Sequence, residues 1–282
     1  QDVQGEVYDY PDEFFKERVH TIRRPRPDDF QIKEAAELIK KSKKPIIIAG
    51  GGVFYSDATD ELSNFAKKHN IPVTQTVMGY SSIKKDHTHY LGTIGGLGGR
   101  AANNLSKETD TAIAIGTKLA DFTTGSWANF ENPNFKLVSI NAARFDANKH
   151  MAQAVVGDAK VSLIELSQAL GSWKADDSWY KKSRIELKNW EAYVEKESEP
   201  TNQKLPSYAQ VIGACYRNSD PTDIAVTAAG GLVGEVIQVW KPRELNTHET
   251  EWGFSCMSYE ISGALGIKMA NPQKEVVSFV GD

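Results

Sequence analysis

What this 282-residue sequence has little of narrows its function before any motif is read. Its two cysteines, Cys215 and Cys256, are too few for a multi-bridge framework, and a reduced, cytoplasmic setting is the expectation they support. Long apolar runs are missing. Stretches such as Ile46–Ala49 have strand length, far below the roughly 18 residues that cross a bilayer, so no membrane partner is expected. An excess of one charge is missing too: 33 Lys and Arg against 37 Asp and Glu leave a formal net charge of −4, with no electrostatic footprint for nucleic acid. The first residues, Gln1-Asp2-Val3-Gln4, lack both an initiator methionine and the basic-then-apolar pattern of a secretory signal, and read as the interior of a longer protein.

Hydrolytic and metal signatures are equally scarce. There is no G-x-S-x-G elbow, and neither cysteine stands in a recognisable catalytic setting. His87 and His89 have no cysteine or carboxylate at ligand spacing, and His248-Glu249 lacks the second histidine of a zinc-protease helix. The histidines are read as surface or core residues.

What is present is an ordinary globular composition, 40% hydrophobic and 25% charged, long enough for roughly two domains. After a polar lead-in over 1–27, Asp28 or Asp29 can cap a helix whose apolar positions Ile32, Ala35, Ala36, Leu38 and Ile39 have helical spacing. Pro45–Ala49 is continuously apolar and β-branched, as a strand buried on both faces should be. The rhythm continues with a helix over 57–69, a strand over 71–76, a glycine-rich stretch over 92–99, a helix over 100–106 and strands over 111–115 and 136–140. Such alternation predicts a doubly wound, parallel α/β domain over 28–172. A charged stretch over 173–204, interrupted by Trp173, Trp179 and Trp190, reads as a linker helix lying on the surface with its aromatics inward.

A second α/β unit is expected over 205–282: helix 209–217, strand 223–228, a turn, helix 233–240, helix 255–269 and strand 275–280. Two apolar strands cannot bury each other's faces in a parallel sheet, so this unit is expected to be incomplete and to continue beyond Asp282.

Three glycine-rich segments are candidate ligand contacts. Gly50-Gly51-Gly52 follows a strand, but Tyr55 stands where the G-x-G-x-x-G pattern needs its last glycine, which leaves a structural turn and a ligand contact both open. Gly95-Gly96-Leu97-Gly98-Gly99-Arg100 reads either as a loop leading into a helix or as an anion site ending in a cation. Ala228-Ala229-Gly230-Gly231 lies between the carboxyl end of a strand and a helix amino terminus, where α/β folds bind phosphates.

Downstream, Glu251-Trp252-Gly253-Phe254-Ser255-Cys256-Met257, then 263–272, then 276–282, resemble the pyrophosphate-binding domain of thiamine-diphosphate (ThDP) enzymes of the acetolactate synthase superfamily. Segments 24–27, 45–52 and 91–95 look like that superfamily's middle domain. Gln1–Gln4, Tyr8–Pro11, Arg18–His20 and Ala228–Gly230 are most similar to its branch that opens a cyclic 1,2-dione in myo-inositol catabolism. The small residues over Thr227–Gly231, where acetolactate synthases carry an acidic residue and a glutamine, favour that branch over a carboligase.

The resemblance implies ThDP and Mg²⁺ as cofactors and a small cyclic dione as substrate. Gly230, Gly231 and Leu232 would meet the diphosphate, Cys256 and Met257 the aminopyrimidine side, and Asp282 the metal. It implies no catalytic proton-transfer residue in this chain, because the activating glutamate of the family lies in a separate domain. On spacing alone Met257 would be a core methionine filling a gap. A homo-oligomer, dimer or tetramer, is implied for the whole protein, and the chain alone is expected to be inactive. FAD or another nucleotide in the middle domain stays open, as does a nucleotide-binding or assembly module without catalysis. Ser258 and Tyr259-Glu260 depart from the superfamily's glycine and Leu-Pro, and Glu260 is read as a helix-surface or interface residue.

Overall fold

A computed structural model describes residues 2–281 of the chain. Six strands, β1 (Pro45–Ala49), β2 (Val73–Gln75), β3 (Tyr90–Thr93), β4 (Thr111–Ile115), β5 (Lys136–Asn141) and β6 (Gln153–Val156), form one parallel sheet in the order β3-β2-β1-β4-β5-β6. Every residue of β1 and β4 is buried, which explains their unbroken runs of Ile and Ala: a parallel sheet covered on both faces has no polar side. Helices α1 (Asp29–Lys40), α2 (Thr59–His69) and α4 (Ala159–Leu170) pack together, while α3 (Arg100–Glu108) packs against the long α5 (Asp177–Ser198). Asp28 caps α1 by accepting from Phe30 N at 2.9 Å, and Asp158 caps α4 by accepting from Lys160 N at 3.0 Å.

Several elements differ from the sequence reading. The helix expected from Asp57 begins at Thr59, because a one-turn segment, Gly52–Tyr55, ends with Asp57 in the left-handed region at φ 52°. β3 hides among glycines and β6 is only four residues long, so neither carries a pattern strong enough to read. The linker helix starts at Asp177 rather than near Trp173, since Asp176 caps it by accepting from Ser178 N at 2.7 Å. Its aromatics do turn inward: Trp179 is buried and donates from Nε1 to Pro45 O at 2.8 Å.

A second parallel sheet, ordered β8-β7-β9, comprises β7 (Ile224–Thr227), β8 (His248–Thr250) and β9 (Val276–Ser278). Three strands stand here where the sequence suggested two. β8 escaped notice because His-Glu-Thr has no apolar run. Helices α6 (Tyr208–Asn218) and α7 (Leu232–Val239) precede and follow β7, and α8 (Tyr259–Ala270) lies against β7 and β9. The two sheets meet at a small apolar joint of Val77, Tyr80, Val233 and Ile237, with Leu97 and Trp252 packed beside it. Tyr80 donates its hydroxyl to Trp240 O at 2.6 Å and Lys85 N donates to Pro242 O at 2.7 Å. No helix among the described residues is long and apolar enough to cross a membrane.

Two glycine pairs show how tightly the first sheet's loops close. A Cβ at Gly50 would strike Gly116 O, and one at Gly52 would lie 2.6 Å from Gly116 Cα. Gly50→Ala should therefore lower stability by about 3 kcal/mol or more, read as a drop in urea midpoint; a loss below about 1 kcal/mol would mean the loops can part freely.

Burial sets the acid limit of the fold. Loss of hydration pushes His89 and His248 down to about 4, so both are neutral in the native state. Unfolding restores a pKa near 6.5, so the unfolded chain binds more protons between those values and stability falls as pH drops from about 6.5 towards 4. The slope is up to about 1.4 kcal/mol per pH unit per histidine. Urea unfolding at pH 7.5, 6 and 5 should show this decline, and His89→Gln with His248→Asn should flatten it; an undiminished slope in the double variant would assign the effect to other groups.

Candidate cofactor site

The second sheet gathers the residues singled out for cofactor binding. β7 is buried throughout and pairs in parallel with β8, Thr227 opposite Thr250, and with β9, Val226 opposite Ser278. Parallel strands in register send their following loops out at the same edge. Gly230–Leu232 after β7 and Phe254–Met257 after β8 thus leave the same carboxyl end, the usual ligand edge of an open α/β sheet.

At the first loop the chain turns through Gly230, whose φ of 88° needs a glycine, and enters α7 at Gly231. A side chain at either glycine would meet nothing within 4 Å, so the turn faces open space. The backbone N–H groups of Gly230, Gly231 and Leu232 find no acceptor among the described residues. Free N–H groups at the start of an eight-residue helix, with room before them, fit a diphosphate.

The second loop is organised by a residue to which the sequence assigned no role. The Glu251 carboxylate accepts from Phe254 N at 2.8 Å and from Cys256 N at 2.6 Å, and these backbone bonds hold its pKa below the ordinary carboxylate range. Desolvation and then the Glu251 charge push the Cys256 thiol up, which keeps it neutral. Met257 is 77% exposed and Phe254 92%, so Met257 is not the core gap-filler that spacing alone suggested. Ser258 begins α8 in the left-handed region, at φ 71°. Glu260, read as a helix-surface or interface residue, is instead 3% exposed, and its Oε2 has no partner among the described residues. It follows Tyr259 into the first turn of α8, on the side turned to the sheet, where its backbone carbonyl accepts from Ser278 Oγ at 3.0 Å.

Asp282, the expected metal ligand, lies outside the described residues. Among those described, no group of three or more His, Cys, Asp or Glu side chains could hold a metal ion, and both cysteines are free.

The two glycine loops of the first sheet turn out differently. Its strand order is that of dinucleotide-binding folds, but the crevice between β1 and β4 is closed by backbone. Gly50 N donates to Ile115 O at 2.8 Å and Gly52 N to Gly116 O at 3.0 Å, so neither is free for a phosphate. The residues present do not fit a dinucleotide held in the usual way. In the Gly95–Arg100 loop, Gly95, Gly96, Gly98 and Gly99 all spend their N–H groups within the protein, on Asn103 Oδ1, Phe122 O, Gly95 O and Thr93 O. Arg100 lies over the rings of Trp190, at 5.7 Å, and Tyr193, at 5.1 Å, which anchors α5 rather than an anion.

The strained serine gives a direct test of the second loop. Ser258→Gly should raise stability by about 1 kcal/mol, because glycine adopts the left-handed conformation without the Cβ penalty. An unchanged or lower thermal midpoint would show that the Ser258 side chain compensates its backbone.

Comparison with known proteins now adds to the geometry. The family model for the thiamine pyrophosphate enzyme central domain matches residues 32–166, and that for the C-terminal TPP binding domain matches residues 228–282. The chain is similar to curated 3D-(3,5/4)-trihydroxycyclohexane-1,2-dione hydrolases. It is 39% identical over 305 residues to that of Clostridium perfringens strain 13, 40% over 306 to that of Clostridium tetani, and 39% over 306 to that of Bacillus cereus strain AH820. In each case the match covers 100% of this chain and 48% of the relative. The chain thus spans about half the length of the curated relatives it matches. With both matched domains lying on parallel α/β sheets, and the loops of the second meeting at one edge, the chain belongs to the thiamine pyrophosphate enzyme family.

Proposed function

We propose that the full-length protein is a ThDP- and Mg²⁺-dependent hydrolase that opens the ring of a trihydroxycyclohexane-1,2-dione in inositol catabolism. The observation that carries this reading is the similarity to hydrolases of that name along the whole chain, including both loops at the carboxyl edge of the second sheet. When bound, ThDP supplies a carbanion that adds to a carbonyl. In the overall conversion one ring C–C bond breaks and one water is taken up, giving an open-chain deoxyuronic acid.

The chain's own part is to hold and orient. The N–H groups of Gly230, Gly231 and Leu232 bind the diphosphate; Glu251 fixes the loop that presents Cys256 and Met257 to the aminopyrimidine side; Asp282 is a magnesium ligand. None of these moves a proton, so activity needs groups supplied outside these residues. Ile261, Leu265 and Met269 form an exposed apolar stripe at four-residue spacing along α8, which supports burial of this face in a dimer or tetramer.

Full-length protein assayed with the cyclic dione and with pyruvate should consume the dione only; turnover of pyruvate to a carboligation product would replace this reading with an acetolactate synthase-like one. Glu251→Ala should weaken ThDP binding by about tenfold or more by calorimetry, with the far-ultraviolet circular dichroism unchanged. Asp282→Ala should abolish its magnesium dependence. Wild-type affinity in either variant would remove that residue from the site.

A further inference from the structure

A cleft of about 260 Å³ lies at the joint between the two sheets, with Tyr55 on one wall and Asn246, His248, Glu249 and Asn271 on the other. None of Gly230, Gly231, Leu232, Cys256 and Met257 lines it, so it is distinct from the proposed cofactor site and does not depend on it. We propose that this cleft binds a small, uncharged, polyhydroxylated molecule.

Its polar groups are built in and partly unspent. His248 is only 8% exposed, and its Nε2 lies 3.2 Å from Thr227 Oγ1. Its other ring nitrogen bonds to no group among the described residues and is not among the sealed polar atoms, so it opens on the cleft. Burial alone holds this ring neutral down to about pH 4, so it offers one donor or acceptor and no charge. Among the described residues the Asn246 amide makes no bond, and Asn271 donates to Ile267 O at 3.1 Å, which leaves its Oδ1 without a partner there.

The walls also say what is excluded. No lysine or arginine lines the cleft, and Glu249 adds a carboxyl at its rim, so a phosphate or carboxylate would lose hydration with no cation in exchange. Neutral hydroxyls match amide and imidazole groups one for one, and the C–H faces of a polyol match the rings of Phe54 and Tyr55. The volume equals roughly eight or nine waters at ~30 Å³ each, room for a molecule of about six carbons.

The test is saturation-transfer NMR on the 282-residue chain with D-sorbitol and D-glucose, beside gluconate and glucose 6-phosphate. Transfer to the neutral pair and not to the anions is expected. Asn246→Gly removes the amide while keeping the left-handed backbone at φ 54°, and Tyr55→Ala removes an exposed ring; each should weaken binding about tenfold without lowering the thermal midpoint appreciably. No transfer from either neutral compound, equal transfer from the anions, or unaltered affinity in both variants would overturn the proposal. Because no ThDP is present, this outcome is independent of the proposed activity.

Discussion

The parallel register of β7 with both its neighbours is the constraint on which the candidate site rests. Thr227 stands opposite Thr250, and Val226 opposite Ser278, so the loops after β7 and β8 and the segment after β9 all depart from one edge. In an antiparallel arrangement neighbouring loops would leave opposite ends, and Gly230 and Met257 could not serve one ligand. Main-chain hydrogen bonds set that register, and the apolar residues of β7, all buried, keep it from slipping.

Local chemistry then shapes what the register has gathered. At the first loop, left-handed Gly230 leaves amides without acceptors; at the second, one carboxylate takes two amides that would otherwise be without partners. The contrast with the first sheet is informative. There the glycines also follow a strand, but their N–H groups and their missing side chains serve backbone-on-backbone contact between the β1 and β4 loops. The same residue type leaves its amides open in one place and makes a seal in the other, and the difference lies in what stands opposite.

The joint between the sheets depends on few side chains. Tyr80 is fully buried between them, its hydroxyl given to Trp240 O and its ring edge-on to His248 at 5.0 Å. Leu97, in the glycine loop of the first sheet, packs beside Val233 and Ile237 of α7, and Gln238 donates to its carbonyl at 3.2 Å. That loop therefore acts as a spacer against the second sheet, and Arg100 at its end lies over Trp190 and Tyr193.

The sequence by itself determined the α/β class, the buried strands Pro45–Ala49 and Thr111–Ile115, the cap of the first long helix at Asp28 or Asp29 and the family resemblance, because periodicity, capping and motif residues are local properties of neighbouring positions. Short strands such as His248–Thr250 were illegible, since three residues with no apolar run become a strand only when a partner strand supplies hydrogen bonds. Which glycines have free amides, that Glu251 ties its loop, that Glu260 is buried and Met257 exposed, were decided only by the tertiary structure. Burial and hydrogen-bond partnership are relations between residues far apart in the chain, and no window of sequence contains both members.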